Sequence, residues 1–141
     1  MPDDVFVDTN ILVYAHDRDA GAKHICAREL VKQAWMSEKF PALSVQVLQE
    51  LFVTLCRRGV DVAEAREIAR DYSSWRVVDN TVPLCLQAMG EMERWQLSFW
   101  DGLILAAARS MQAKILWSED LNTGQDFDGI RVVNPLGTCR S

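Results

Sequence analysis

A parallel β-sheet covered by helices is the fold class this sequence predicts, and three observations predict it. Short apolar runs rich in β-branched residues occur at Val5-Phe6-Val7, Arg76-Val77-Val78, Ile115-Leu116-Trp117 and Ile130-Arg131-Val132-Val133. Each is too short for a helix and has the composition of a buried strand. Segments of ten or more residues with helical spacing lie between several of them, and strands that alternate with such helices build parallel sheets. At 141 residues the chain has room for one domain, 1–141, and not comfortably for two.

The elements follow in order. Val5–Val7 reads as a strand that Asp8-Thr9-Asn10 stops, and Ile11 to Ala15 as a helix start. Residues 20–39 carry Ile25, Leu30, Val31, Ala34 and Trp35 at helical spacing, with Lys, Arg and Glu between them. Pro41 breaks that helix. Ser44 is placed to cap the next, which runs to Arg58 and ends at Gly59. Asp61 with Glu64 has the form of a capping box opening a further helix. Thr81 caps a helix with Pro83 in its first turn, ending near Trp95, and Ser98 caps another from Phe99 to Met111. The strands at 115–117 and 130–133 close the chain.

Composition excludes several classes. Apolar residues make up 49% and charged residues 25%, which suits an ordinary globular core and rules out a disordered tail or a coiled coil. The longest unbroken apolar run, Leu103 to Ala108, is six residues, where a membrane span needs roughly 20. The start Met-Pro-Asp-Asp is acidic rather than basic, unlike a secretion signal, so a cytoplasmic location is expected. The net charge of -5 argues against coating nucleic acid through a broad basic face. It leaves room for an enzyme that brings positive charge to a phosphate through a metal. The cysteines at 26, 56, 85 and 139 show no zinc-type spacing and are expected to be reduced, small core residues.

In parallel α/β sheets, sites form beyond the carboxyl ends of the strands, so the acids there draw notice. Asp8 directly follows the first strand, and Asp120 follows the strand at 115–117 closely. Each alone also reads as a turn residue. Asp101 is the only charge between Arg94 and Arg109. It opens a helix that is otherwise apolar on every side, and a buried carboxylate there needs partners. A capping box with Ser98 supplies one account and a metal another. Glu50 falls on a narrow polar strip with Gln46 and Arg57, facing either water or a cleft. Neither His16 nor His24 lies near these motifs, so both are expected to be ordinary surface or helix residues and a histidine acid–base mechanism is disfavoured.

Four segments in register carry a family resemblance: Val5-Phe6-Val7-Asp8-Thr9-Asn10-Ile11-Leu12-Val13-Tyr14; Ser44-x-Gln46-x-x-x-Glu50; Ser98-Phe99-Trp100-Asp101; and Ser118-Glu119-Asp120-Leu121 with Gly124-Gln125. The chain resembles the PIN-domain nucleases over essentially its whole length, and among them the VapC-type toxins of bacterial toxin–antitoxin pairs. The resemblance implies a three-layer α/β/α sandwich with a mainly parallel central sheet. It implies an endoribonuclease that uses Mg²⁺ or Mn²⁺ and whose acids match Asp8, Glu50, Asp101 and Asp120, with Thr9 or Asn10 and Ser118 shaping the site. Glu119 and Asp126 compete with Asp120 for the fourth acid. A homodimer, an RNA substrate and a VapB-like antitoxin partner are implied as well.

The residue types suit that chemistry. Phosphodiester cleavage needs a nucleophilic water and relief of charge on the in-line transition state, and hard divalent cations held by oxygen ligands supply both. A carboxylate set without nitrogen or sulfur donors favours Mg²⁺ or Mn²⁺ over Zn²⁺. Without metal the acids repel one another, so at least one pKa should rise. Arg57 and Arg58 are the first candidates for RNA contact, with Arg18, Lys23 and Arg109 behind them. Competing readings are weaker. A haloacid-dehalogenase-type phosphatase needs Asp-x-Asp, and Asn10 occupies the third position. A receiver domain needs an acceptor Asp where residues 45–60 read as helix. The alternative from another class is a PIN-like module that binds RNA or protein without cutting, against which the intact set of four acids argues.

Overall fold

The structure, a computed structural model, describes residues 4–137. Five strands, β1 (Val5–Val7), β2 (Ala42–Ser44), β3 (Arg76–Val78), β4 (Ile115–Trp117) and β5 (Arg131–Val133), form one sheet. Its order is β3-β2-β1-β4-β5, with every pairing parallel. Six α-helices connect them among the described residues: α1 (Thr9–His16), α2 (Ala22–Met36), α3 (Val45–Arg57), α4 (Val62–Tyr72), α5 (Val82–Trp95) and α6 (Phe99–Ser110).

The order of strands dictates the layers. From β1 the chain steps through β2 to β3 in one direction, then jumps back across β1 to β4 and on to β5. Parallel crossovers are right-handed, so α1–α4 cover one face and α5–α6 the other. The packing agrees, since α1 lies against α2 and α3, α3 against α4, and α5 against α6. The result is the three-layer α/β/α sandwich. The neighbours β1 and β4 are where the direction of connection reverses, and ligands of open α/β sheets bind at that switch point.

The core lies where the layers meet. Phe6, Leu43, Leu116 and Val132 of the sheet are wholly buried, as are Ile11, Leu12, Leu51, Leu55 and Leu105 of the helices, each contributing about 1.5–3 kcal/mol by leaving water. Gly102 sets the α5–α6 contact. A Cβ there would stand 2.7 Å from the carbonyl oxygen of Ala88, so only a bare backbone lets the helices approach this closely.

Four details differ from expectation. Ala42–Ser44 is a strand, although no β-branched residue marks it. Helix α1 begins at Thr9, two residues early, because Asp8 is its N-cap. The segment at 20–39 is shorter than its periodicity suggests. Gly21, at φ 64°, separates α2 from a 3-10 turn at Arg18–Ala20, and α2 ends at Met36. Finally, Cys56 and Cys85 are free but Cys26 is disulfide-bonded, which corrects the expectation of four reduced cysteines. Distance in sequence does not measure distance between side chains in the fold. Cys139 lies outside the described residues.

Candidate functional site

The site grows out of strand register. Val7 of β1 pairs with Trp117 of β4, so the next residues, Asp8 and Ser118, meet at the carboxyl edge of the sheet. Asp8 N–H donates to the Trp117 carbonyl (2.9 Å) as the last rung. The Asp8 carboxylate is then fixed from both sides. Its Oδ1 accepts from Thr9 N–H (2.7 Å), and its Oδ2 accepts from the Ser118 hydroxyl (2.8 Å). The Ser118 Oγ in turn accepts from the backbone N–H of Asp120 (3.1 Å) and of Leu121 (3.4 Å). One hydroxyl thus ties the buried acid of β1 to the loop that carries Asp120.

Glu50 and Asp101 arrive from opposite layers. Ser44 ends β2 and caps α3 through Val47 N–H (3.3 Å), which launches α3 from the same edge of the sheet. Gln46, at the start of α3, donates to the Trp100 carbonyl at the start of α6 (3.3 Å). That bond brings the two helix N-termini together and with them Glu50 and Asp101. Ser98 caps α6, accepting from Asp101 N–H (3.1 Å), which is the Ser98 half of the expected capping box.

The electrostatics record the convergence. Burial first, then the charges of Asp120 and Glu50, push the Asp8 carboxyl up to about 7 against its two hydrogen bonds. Glu50 is raised by partial burial, then by Asp101 and Asp120. Asp101 is raised by partial burial, then by Asp120. Asp120 thus acts on each of the other three acids. Among the described residues none of the four has a Lys, Arg or His within ion-pair distance. No three His, Cys, Asp or Glu side chains form a ready ligand cage among the described residues. The donor set nonetheless suits a hard divalent cation, being carboxylate oxygens alone. One of them is 5% exposed and lacks the countercharge that such burial requires.

The remaining candidates fall into place. Thr9 is buried with its hydroxyl unpartnered, and the Asn10 side-chain N–H groups are likewise unpartnered, while Asn10 Oδ1 accepts from Glu119 N–H (3.3 Å). Glu119 turns away from the other acids. It accepts from the Tyr14 hydroxyl (2.9 Å) and pairs with Lys23 (3.0 Å). Asp126 belongs to a turn, its carboxylate accepting from Gly129 N–H (2.7 Å). On α3, Gln46 is buried, and Glu50, Thr54 and Arg58 line the cleft beside Asp120. Glu50 and Thr54 also line a neighbouring groove with Gln49, Val53 and Arg57, so both arginines border Glu50. Arg109 is committed elsewhere, gripping Glu91. His16 is half-buried on the Tyr72 hydroxyl (2.7 Å), and His24 bonds the Tyr14 carbonyl (2.9 Å). Tyr14, an apolar-face helix residue in sequence, was the lining residue with no signal beyond its four-residue spacing from Asn10.

Fold and crevice together define an open, parallel α/β protein with unpaired carboxylates gathered at its topological switch point. The PIN domain family model matches residues 5–125, and the chain belongs to that family. Similar solved structures include the Mycobacterium tuberculosis toxin VapC20, described as cleaving the sarcin-ricin loop, at 25% identity and a TM-score of 0.67, covering 82% of this chain and 89% of that one. A toxin–antitoxin complex from Klebsiella pneumoniae is 19% identical with a TM-score of 0.68, covering 93% and 97%. VapBC2 from Rickettsia felis, bound to a promoter DNA fragment, is 19% identical with a TM-score of 0.62, covering 91% and 96%. No curated protein matches the sequence.

Proposed function

We propose that the chain is a Mg²⁺- or Mn²⁺-dependent endoribonuclease and the toxin of a VapBC-type toxin–antitoxin pair, acting in the cytoplasm. What supports this reading is that Asp120 acts electrostatically on Asp8, Glu50 and Asp101, and that none of the four acids has an ion-pair partner among the described residues. Membership of the PIN family and the likeness to a toxin described as cleaving the sarcin-ricin loop support it.

Asp8 and Asp101 are assigned as the central ligands, and Glu50 and Asp120 complete the shell. A bound cation supplies charge neutralisation at the phosphate and acidifies water. The chain's residues do the rest. Ser118 and the Thr9 N–H hold the Asp8 carboxylate in one orientation, and the rigid edge of the sheet fixes its distance from the Asp120 loop. The buried seat keeps competing water off the innermost acid, strengthening every charge interaction there.

A VapB-like antitoxin is the expected partner, in keeping with the toxin–antitoxin complexes of like fold. A homodimer is expected too. Val82, Leu86 and Met89 lie exposed on one stripe of α5, at the helical spacing that a self-associating face uses. The test is a ribonuclease assay on purified protein with Mg²⁺, with Mn²⁺ and with chelator. Cleavage that persists in chelator, or that survives in both Asp8→Asn and Asp101→Asn, overturns the proposal. Binding of RNA without any cleavage in metal would favour the non-cutting module instead.

A further inference from the structure

Beside the acids the seam between α1 and α3 opens into a cleft of about 180 Å³. One end is walled by Glu50 and Asp120, the other by Tyr14 and Arg58. Glu50, Thr54 and Arg58 recur every fourth residue on α3, so this wall is about 12 Å long. It extends well past the position of a single phosphate at the acids.

Three features of the cleft call for a ligand that carries negative charge and hydrogen-bond acceptors. First, the Thr9 hydroxyl, on a residue 9% exposed, and the Asn10 side-chain N–H groups line it without partners, and buried donors left unpaired are costly. Second, Arg58 uses only one guanidinium nitrogen, on Asp17, which leaves its other N–H groups free. Third, the Tyr14 ring is held in place. Its hydroxyl donates to Glu119 (2.9 Å), the Lys23 ammonium sits 5.0 Å from the ring centroid, and the Arg58 guanidinium 5.9 Å from it. Burial and the Glu119 carboxylate push the Tyr14 phenol up, so it stays a donor and the ring stays pinned.

Building on the ribonuclease reading, we propose that this cleft seats the nucleotide adjoining the scissile phosphate, with Arg58 taking that nucleotide's own phosphate and the Tyr14 ring packing against its sugar and base. Glu119 and Lys23 are positioning residues: they fix the ring and do not touch the RNA phosphate. The acidic end holds the reacting group, and the far end supplies the one cation that an otherwise acidic crevice offers the flanking chain.

The experiment measures kcat and KM on single-stranded oligoribonucleotides of increasing length, across a salt series, for wild type, Tyr14→Ala, Tyr14→Phe, Arg58→Gln and Arg58→Lys. Lengthening the substrate by one nucleotide on one side of the cut should lower the wild-type KM, and Tyr14→Ala and Arg58→Gln should abolish that gain. Each should raise KM about tenfold, as expected for one lost base or phosphate contact, with kcat within about twofold. Arg58→Gln should flatten the dependence of log KM on log salt by about 0.7, the value of one single-strand phosphate contact. Tyr14→Ala should leave that slope unchanged. Tyr14→Phe and Arg58→Lys keep the ring and the charge, and should recover most of the affinity. If wild type cuts RNA but both truncations keep its KM, length dependence and salt slope, the cleft is not a subsite. A fall in kcat alone overturns it equally, since that marks a disturbed acid cluster. If wild type neither binds nor cuts RNA, the ribonuclease reading itself fails first.

Discussion

Two sets of acids in this molecule are treated in opposite ways. At the corner between α5, α6 and the turn before β5, Glu91 is gripped by Arg109 through both oxygens, at 2.7 and 3.2 Å, and accepts from the Trp95 indole (3.0 Å). Arg109 spends its remaining N–H groups on the carbonyls of Phe127 (2.9 Å) and Asp128 (3.1 Å). Asp17 and Glu119 are similarly paired with Arg58 and Lys23. In the crevice, Asp8, Glu50, Asp101 and Asp120 have each other instead, and three of them are pushed toward the protonated form. Glu91, Asp17 and Glu119 each have a cation from the same chain, whereas the four acids of the crevice have no ion-pair partner among the described residues.

The largest effect expected on this contrast concerns activity. Removing one carboxylate charge in the crevice, by Asp8→Asn or Asp101→Asn, should lower cleavage at least about a hundredfold, because several kcal/mol of transition-state stabilisation depend on the cation it holds. Circular dichroism and melting should show an intact fold, since Asn is also a good N-cap. A variant that cuts like wild type would erase the distinction between the two sets.

Stability should respond next, and with a definite sign. The Asp8 carboxyl titrates near 7 in the folded protein against 3.8 in the ordinary state. A raised acid pKa stabilises the fold at low pH, and that contribution is lost as pH climbs from about 4 through about 7. Glu50 and Asp101 act in the same direction. In chelator, wild type should therefore unfold more readily at pH 8 than at pH 5, by at most about 3 kcal/mol from Asp8. Asp8→Asn should flatten the curve, and Mg²⁺ or Mn²⁺ should raise the melting temperature of wild type more than that of the variant. Equal shifts for the two would place the binding of metal elsewhere.

At the satisfied corner the reverse pattern is expected. Arg109→Ala leaves Glu91 buried without its cation and should destabilise the fold by about 2 kcal/mol, read by denaturant melts, with cleavage per folded molecule unchanged. The smallest effect separates two adjacent acids. Asp120→Asn should reduce cleavage tenfold or more, whereas Glu119→Gln should stay within about threefold, because Glu119 is occupied by Tyr14 and Lys23.

The legibility of the chain divides along similar physical lines. Helix caps at Ser44, Asp61, Thr81 and Ser98 were readable because a short polar side chain before an apolar run has few other uses. The strand Ala42–Ser44 was not readable. It is held by β1 and β3 on either side, so pairing rather than propensity makes it a strand. Position drew notice to Asp8, Glu50, Asp101 and Asp120, but each also had an ordinary account as a turn, cap or surface residue, and it was the family resemblance that joined them into one set. Arg57 and Arg58 were both named as cations near Glu50, but the sequence could not say that Arg58 shares a cleft with Tyr14. Lys23 was named only as a weak RNA contact, and its pairing with Glu119 exists only once the helices are packed.

The hydroxyl of Ser118 meets the carboxylate of Asp8 across 110 positions of chain, and Asp120 follows it. A chain leaving the ribosome therefore carries Asp8 more than a hundred residues ahead of Asp120. Until β4 docks beside β1 the two cannot meet, so synthesis separates in time what the sheet joins in space.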